Sequence, residues 1–293
     1  MKRLFLLCCC LAAAVPFSVR GESLERVLRA VTDSVRATVG VAVVFGDGDT
    51  LAVNGGRCYP MLSVCKFHQA LAVLDRLDRR GLPLTTRIPV RRSDLLPGTW
   101  SPLREACPGG GRFTVAELLT YSVAQSDNNV CDVLFRFLGG TEAVDRYIAG
   151  LGIGETVIVA DEEMMHRHTD NQYLNRTTPL AAVRLLELFH RGELLSAAYG
   201  DFLLETMFAT GTGPDKLRGL LPADVAVAHK TGSSDRDGRG VKIADNDIGI
   251  VRLPDGRSYS IAVFVMDSRE DDRTNAAVIA RISRLVYDYA ARR

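Results

Sequence analysis

The apolar residues of this chain alternate between helix and strand spacing, and that alternation limits the folds open to it. Leu24, Val27, Leu28, Val31 and Val35 recur at the interval of one helix face between Glu22 and Val39. Two short strand-like stretches follow, Val41–Phe45 and Leu51–Val53, separated by the turn-rich Gly46-Asp47-Gly48-Asp49, which predicts a hairpin. The last third returns to Val- and Ile-rich strands, Val225–His229, Asp247–Leu253 and Tyr259–Asp267, with Pro254-Asp255-Gly256 turning between the last two. Asn275–Ala290 closes the chain as an amphipathic helix. Strands that lie at both ends of a chain must reunite in space to form one sheet. The expectation is therefore an α+β fold, an antiparallel sheet flanked by terminal helices and carrying an inserted all-helical domain, with a cleft between them. The expected boundaries are 22–60 and 195–293 for the α/β part and 61–194 for the helical part.

The middle of the chain reads as helices and long loops. Ser63 opens an apolar run through Leu77 that ends near Gly81. Thr114 and Glu117 have the spacing of a capping box, and Thr178 before Pro179 reads as an N-cap followed by a proline in the first turn. Between Val159 and Thr177 lies a polar stretch with little periodicity, and a loop that long inside a compact domain is usually functional.

Composition excludes several roles. The net charge of +1 across 293 residues, with no long block of either sign, gives no support for a nucleic-acid or anionic-membrane partner. Lys2 and Arg3 ahead of the apolar run Leu4–Val15 read as an export signal, residues 1–21, too short to span a bilayer. The mature protein is expected in the periplasm or medium, without a stable membrane span. Lipidation near Cys8, Cys9 and Cys10 is disfavoured by Leu7, a poor match to the small residue such a site needs. Cys58, Cys65, Cys107 and Cys131 remain, an even number that permits disulfides, although Cys65 and Cys131 sit in apolar helical patterns and read as buried thiols. The five histidines are scattered without metal-ligand spacing, so no metal and no cofactor is expected.

Three short motifs occur in order: Ser63-Val64-Cys65-Lys66, Ser126-Asp127-Asn128 and Lys230-Thr231-Gly232. Residues three apart share a helix face, so the Lys66 amine can reach the Ser63 hydroxyl, and a serine needs such an adjacent base to become a nucleophile. Taken singly, each motif has a plain structural explanation: a helix cap, a turn, a strand end. The ordered trio, on a helix start, an inter-helix loop and a strand edge, points to a catalytic site.

The set resembles the class A serine β-lactamases, in which these three motifs occur together. The detail, Tyr59-Pro60-Met61 before Ser63, Phe67-His68 after Lys66 and Ser126-Asp127-Asn128-Asn129-Val130-Cys131-Asp132, is most similar to the PER, VEB and CfxA branch. The resemblance implies hydrolysis of a small-molecule β-lactam by a monomeric enzyme, through an acyl-enzyme on Ser63, and hence antibiotic resistance. Lys66 and Ser126 would shuttle protons, the backbone N–H groups of Ser63 and Ser233 would form the oxyanion hole, and Asn128 would bind the acylamide side chain. Lys230, Thr231, Gly232 and Ser233 would line the site of the substrate carboxylate.

The family's deacylating Glu-x-x-Leu-Asn pattern has two placements here. Asn171-Gln172-Tyr173-Leu174-Asn175 matches at its end but lacks the acid, whereas Glu162-Glu163-Met164-Met165-His166 keeps it. The resemblance assigns Glu162 as general base, with Glu163 as the adjacent alternative, and His166 joins the substrate-binding set in place of the usual asparagine. The carboxylate-binding arginine of many relatives falls at Ile248, and the branch's substitute falls at Lys216, with Arg218 as a rival. His68, His190 and His229 are expected to do no chemistry. The rival activities are a D,D-peptidase, which would lack a working loop acid, and a penicillin-binding or sensing module that stays acylated.

Overall fold

The computed structural model describes residues 18–293, with side chains from residue 24, so the apolar run Leu4–Val15 and Cys8, Cys9 and Cys10 lie outside the described residues. The chain begins with α1 (Ser18–Thr32), β1 (Thr38–Phe45), β2 (Thr50–Val53), β3 (Tyr59–Pro60) and α2 (Cys65–Arg80). Next come β4 (Arg87–Arg91), α3 (Pro102–Ala106), β5 (Gly110–Thr114), α4 (Val115–Leu119), α5 (Asn128–Leu138), α6 (Thr141–Gly150) and α7 (Glu162–Arg167). It ends with β6 (Arg176–Thr177), α8 (Pro179–His190), α9 (Ala197–Phe208), β7 (Ala226–Ser233), β8 (Lys242–Arg252), β9 (Ser258–Ser268) and α10 (Asp272–Ala290).

Strands from both ends of the chain form one five-stranded antiparallel sheet in the order β2-β1-β9-β8-β7. Side chains on a strand alternate between faces, and the two faces meet different partners. Val41, Val43, Ile261 and Val263 pack under Leu28 and Val31 of α1 and Ile279, Ile282 and Val286 of α10. Ala42, Ala262, Ile248 and Phe264 face the other way, into a core shared with Leu71 and Leu74 of α2 and Leu185 of α8. β7 is the edge strand beside the helical part of the chain.

The local signals hold at both predicted caps. The Thr114 side chain accepts from the Glu117 N–H while Glu117 reaches back to the Thr114 N–H, and Thr178 accepts from the Ala181 N–H ahead of α8. The first helix ends earlier than its apolar pattern predicts, at Thr32, because Val35 belongs to the turn into β1. The middle of the chain is also less purely helical than expected. β4 pairs with β5 and β3 with β6, although Gly109-Gly110-Gly111 shows no strand pattern of its own. β4 supplies the order there, alternating buried Ile88 and Val90 with exposed neighbours. β8 starts at Lys242, five residues before its expected beginning, because the polar Asp245, Asn246 and Asp247 are all buried and hydrogen-bond or ion-pair inside the protein.

Candidate active site

Ser63 lies in a single 3₁₀ turn, Leu62–Val64, that runs directly into α2. Leu62 before it has a left-handed φ of 48°, a conformation costly for a branched side chain and met mainly where the surroundings enforce it. Two neighbours do so. The Asn246 amide of β8 donates to the carbonyls of Pro60 (2.8 Å) and Met61 (3.2 Å). Gly232 of β7 faces the same turn so closely that a Cβ there would sit 2.4 Å from the Met61 carbonyl oxygen and 3.1 Å from the Val64 nitrogen. Gly232 is thus required by close backbone approach, and that approach brings the end of β7 against the serine.

One turn along α2, the fully buried Lys66 gathers the site around its ammonium. It donates to Ser63 Oγ at 2.7 Å and to Asn128 Oδ1 at 2.8 Å, and it contacts Glu162 Oε1 at 2.5 Å. Burial alone would push this lysine down, but the Glu162 carboxylate outweighs it and holds the ammonium above its ordinary value. Beside it lie Cys65 and Cys131, free buried thiols, and burial, followed by a hydrogen bond that the Cys131 thiol donates to Cys65, raises Cys131 well above the usual thiol range. Cys58 and Cys107 are free as well.

Glu162 enters from the long loop, whose polar stretch folds into α7, a short 3₁₀ turn over Thr169–Tyr173, and β6. Asp161 caps α7 by accepting from the Met164 N–H. Asp132 of α5 accepts from the N–H groups of Glu162 (2.7 Å) and Glu163 (3.0 Å), and burial pushes its carboxyl up to about 7. With the backbone pinned this way Glu162 points inward, whereas Glu163 is exposed and ion-paired with Arg167. Asn175, from the other placement of the motif, has a separate task. Its buried amide accepts from Val159 and Ala160 and donates to the Ala160 carbonyl, closing the two ends of the loop on each other.

His166 ties the loop to the opposite wall. One ring nitrogen meets the Glu162 carbonyl at 2.8 Å and the other the Thr99 hydroxyl at 3.1 Å, and Thr99 Oγ1 accepts from the Asn128 amide at 2.7 Å. Asn128 is thereby held between Lys66 and Thr99. Ser126 has a left-handed φ of 60°, and the following Asp127 anchors it by capping α5 and accepting from Ser101 Oγ and the Leu103 N–H. Ser126 Oγ accepts from Lys230 Nζ at 2.9 Å, and the same ammonium donates to the Thr231 carbonyl at 2.8 Å. Lys230 is as buried as Lys66 but has no carboxylate in contact, and burial, with the like charge of Lys66, pushes it down to about 7.

The strand-edge expectations need one correction. Ile248 lies opposite Lys230 and is buried in the apolar core, so it has no place in the cleft; the β8 residue beside Ser233 is Asp245. Lys216, the branch's substitute, is buried, and its ammonium contacts Asp245 at 2.5 Å. Arg218 is exposed and lines a separate surface groove with Glu205, Phe208 and Arg252. Thr99, Asp132, Asp245 and Asn246 were not singled out for any role from the sequence. None stands in a motif with catalytic spacing, and each acts through a partner distant in the chain.

His68 is buried and pushed down to about 4 by desolvation, His190 meets Ser258 Oγ, and His229 is buried against Asp247 behind β7. Among the described residues no cluster of three or more His, Cys, Asp or Glu could hold a metal ion, and no helix is long and apolar enough to cross a membrane.

A hydroxyl on a buried amine, a loop carboxylate on the same amine and a second hydroxyl–lysine pair across the cleft define an active-site-serine hydrolase. The chain belongs to the β-lactamase enzyme family, whose model matches residues 23–290. It is 46% identical to a β-lactamase of Bacteroides uniformis over 95% of each chain. It is 41% identical to the extended-spectrum β-lactamase PER-1 of Pseudomonas aeruginosa, covering 93% of this chain and 89% of that one. A class A β-lactamase structure from Bacteroides cellulosilyticus superposes with a TM-score of 0.90 at 44% identity, over 94% of this chain and 99% of that one. The reaction is hydrolysis of the β-lactam amide, with antibiotic resistance as its consequence, and no finding favours the peptidase or sensor alternative.

Proposed function

We propose that Ser63 is the nucleophile, Lys66 and Glu162 its proton relay, and Ser126 the donor to the leaving nitrogen. The single observation that carries this reading is that Ser63, Asn128 and Glu162 all bond to one buried nitrogen, Lys66 Nζ. In acylation, a proton passes from the Lys66 ammonium to Glu162 along their contact. The neutral amine left behind takes the Ser63 proton as Oγ attacks the lactam carbonyl carbon. The backbone N–H groups of Ser63 and Ser233 receive the developing oxyanion, each such donor being worth about 10²–10³ in rate. The C–N bond then breaks as Ser126 Oγ protonates the nitrogen. Lys66 passes to Ser126 the proton it took from Ser63 and regains one from Glu162, leaving Ser126 a hydroxyl, Lys66 an ammonium and Glu162 a carboxylate, while Lys230 stabilises the Ser126 oxygen during the transfer.

Deacylation needs Glu162 as a carboxylate. Two contacts on one nitrogen put the Glu162 and Ser63 oxygens no farther apart than the sum of those two lengths. A bridging water, whose two hydrogen bonds span roughly 5.5 Å, reaches both. Glu162 takes a proton from that water, the hydroxide attacks the ester carbon, Ser63 Oγ leaves with a proton from Lys66, and Glu162 returns its proton to Lys66 to restore the resting ion pair. Asn128 faces the acylamide chain, and Lys230, Thr231 and Ser233 the substrate carboxylate. His166 and Thr99 act as positioning residues for Glu162 and Asn128.

Glu162→Gln tests the scheme. It should acylate with a chromogenic cephalosporin and then stall, leaving a persistent mass increase on Ser63. Accumulation with Glu163→Gln instead, or steady turnover by Glu162→Gln, overturns the assignment. The extended-spectrum name of the PER-1 relative supports a broad range of β-lactam substrates, and the resemblance to that branch favours cephalosporins among them. Export after removal of residues 1–21, a monomeric mature enzyme, and the division into 22–60 with 195–293 against 61–194 belong to the same proposal.

A further inference from the structure

We propose that Asp245 is a specificity-determining residue: by holding the Lys216 ammonium in a buried ion pair beside Ser233, it withdraws that charge from the substrate carboxylate. The inference rests on the proposed assignment of Lys230, Thr231 and Ser233 to that carboxylate.

Lys216 and Asp245 are only 7% and 3% exposed, and their charged atoms stand 2.5 Å apart. The contact is one of charge, since Asp245 Oδ1 makes no aligned hydrogen bond. Asp245 pairs across the sheet with Ser233. The stem of Lys216 shares with Thr231 the space facing Gly213, where a Cβ would lie 2.8 Å from Thr231 Cγ2 and 3.0 Å from Lys216 Cδ. The ammonium's other partner is the Asn246 carbonyl at 3.4 Å. The cation therefore lies directly behind the residues that receive the substrate's anion, and it is already neutralised. Penicillins and cephalosporins carry a carboxylate next to the ring nitrogen. Approaching this pair, that carboxylate meets a cation and an anion at similar range, and their fields on it nearly cancel. Attraction is left to Lys230 and to the hydroxyls of Thr231 and Ser233.

Asp245→Asn separates this arrangement from one in which Asp245 merely orients a substrate-binding Lys216. Neutralising Asp245 releases the Lys216 charge, so at about pH 6, where even a buried lysine without a carboxylate partner such as Lys230 (pushed down to about 7) holds its proton, KM for a free-acid cephalosporin should fall about five-fold while kcat stays within about two-fold. The methyl ester of the same compound should show no such gain. A KM for the acid that rises or stays level, or an equal fall for the ester, overturns the proposal. Asp245→Thr, neutral and suited to a strand, carries the same prediction should the amide variant not fold, with thermal unfolding reporting which variants are native. Failure of the unsubstituted enzyme to acylate at Ser63 would strike the site assignment instead. An absent acid–ester contrast in an enzyme with normal turnover strikes only the role of Asp245.

Discussion

Lys66 and Lys230 occupy opposite walls of one cleft, are equally buried, and behave in opposite ways. On the helical wall Lys66 touches the Glu162 carboxylate and is held above its ordinary value. On the strand wall Lys230 has only a hydroxyl and a carbonyl in contact and is pushed down to about 7. Burial costs a charge several kcal/mol wherever it occurs, so the partner, not the depth, decides whether the charge survives. The helical wall holds its lysine as an ammonium against that carboxylate. The strand wall holds a lysine that gains or loses its proton near neutrality. Lys216 gives a third arrangement, a buried lysine whose ammonium stands against the Asp245 carboxylate.

The largest effect is expected on the helical wall. Lys66→Ala removes the relay and leaves Glu162 buried without its cation, and kcat/KM should drop by about 10³-fold or more. Stopped-flow acylation at pH 7 measures this, and a loss under ten-fold would mean the relay runs elsewhere. Glu162→Gln sharpens the contrast between the lysines. Without the carboxylate Lys66 should titrate like Lys230, so acylation by this variant should accelerate with rising pH as the amine becomes neutral. A flat acylation profile would show that Glu162 does not set the Lys66 charge.

On the strand wall the sign is reversed. Raising the pH strips Lys230 of its proton, so KM for a carboxylate-bearing substrate should rise about ten-fold between about pH 6 and about pH 8. Lys230→Arg keeps its charge throughout and should flatten that rise, whatever it does to the absolute rate. The smallest effect belongs to the hydrogen-bonded link between loop and wall. Thr99→Val frees both Asn128 and His166, at a cost of about 1 kcal/mol, seen as a lower Tm and a few-fold fall in kcat. An unchanged kcat would make Thr99 a purely structural residue.

Part of the candidate site was legible in the sequence because it is local. Ser63 and Lys66 sit one turn apart whatever the rest of the chain does, and Thr114, Thr178 and the Pro254-Asp255-Gly256 turn specify their own neighbourhoods through short-range bonds and backbone preference. The terminal strands announced themselves through runs of Val and Ile that need two covered faces. Other features carried no such signal. Two adjacent acids in the loop look alike in the chain, and only the grip of Asp132 on their N–H groups turns Glu162 inward and leaves Glu163 in solvent. The register of β7 on β8 decided that Asp245, rather than Ile248, stands beside Ser233.

The sequence by itself determined which groups are available and the order of the elements that carry them, because helix face, strand face, cap and turn are set by residues within a few positions of one another. Only the tertiary structure decided the charge state of each group: whether Lys66 is held as an ammonium, whether Lys230 titrates near neutrality, and whether Lys216 reaches a substrate or an aspartate. Those outcomes depend on desolvation and on oppositely charged atoms within a few ångströms, and such neighbours come from parts of the chain that meet only on folding.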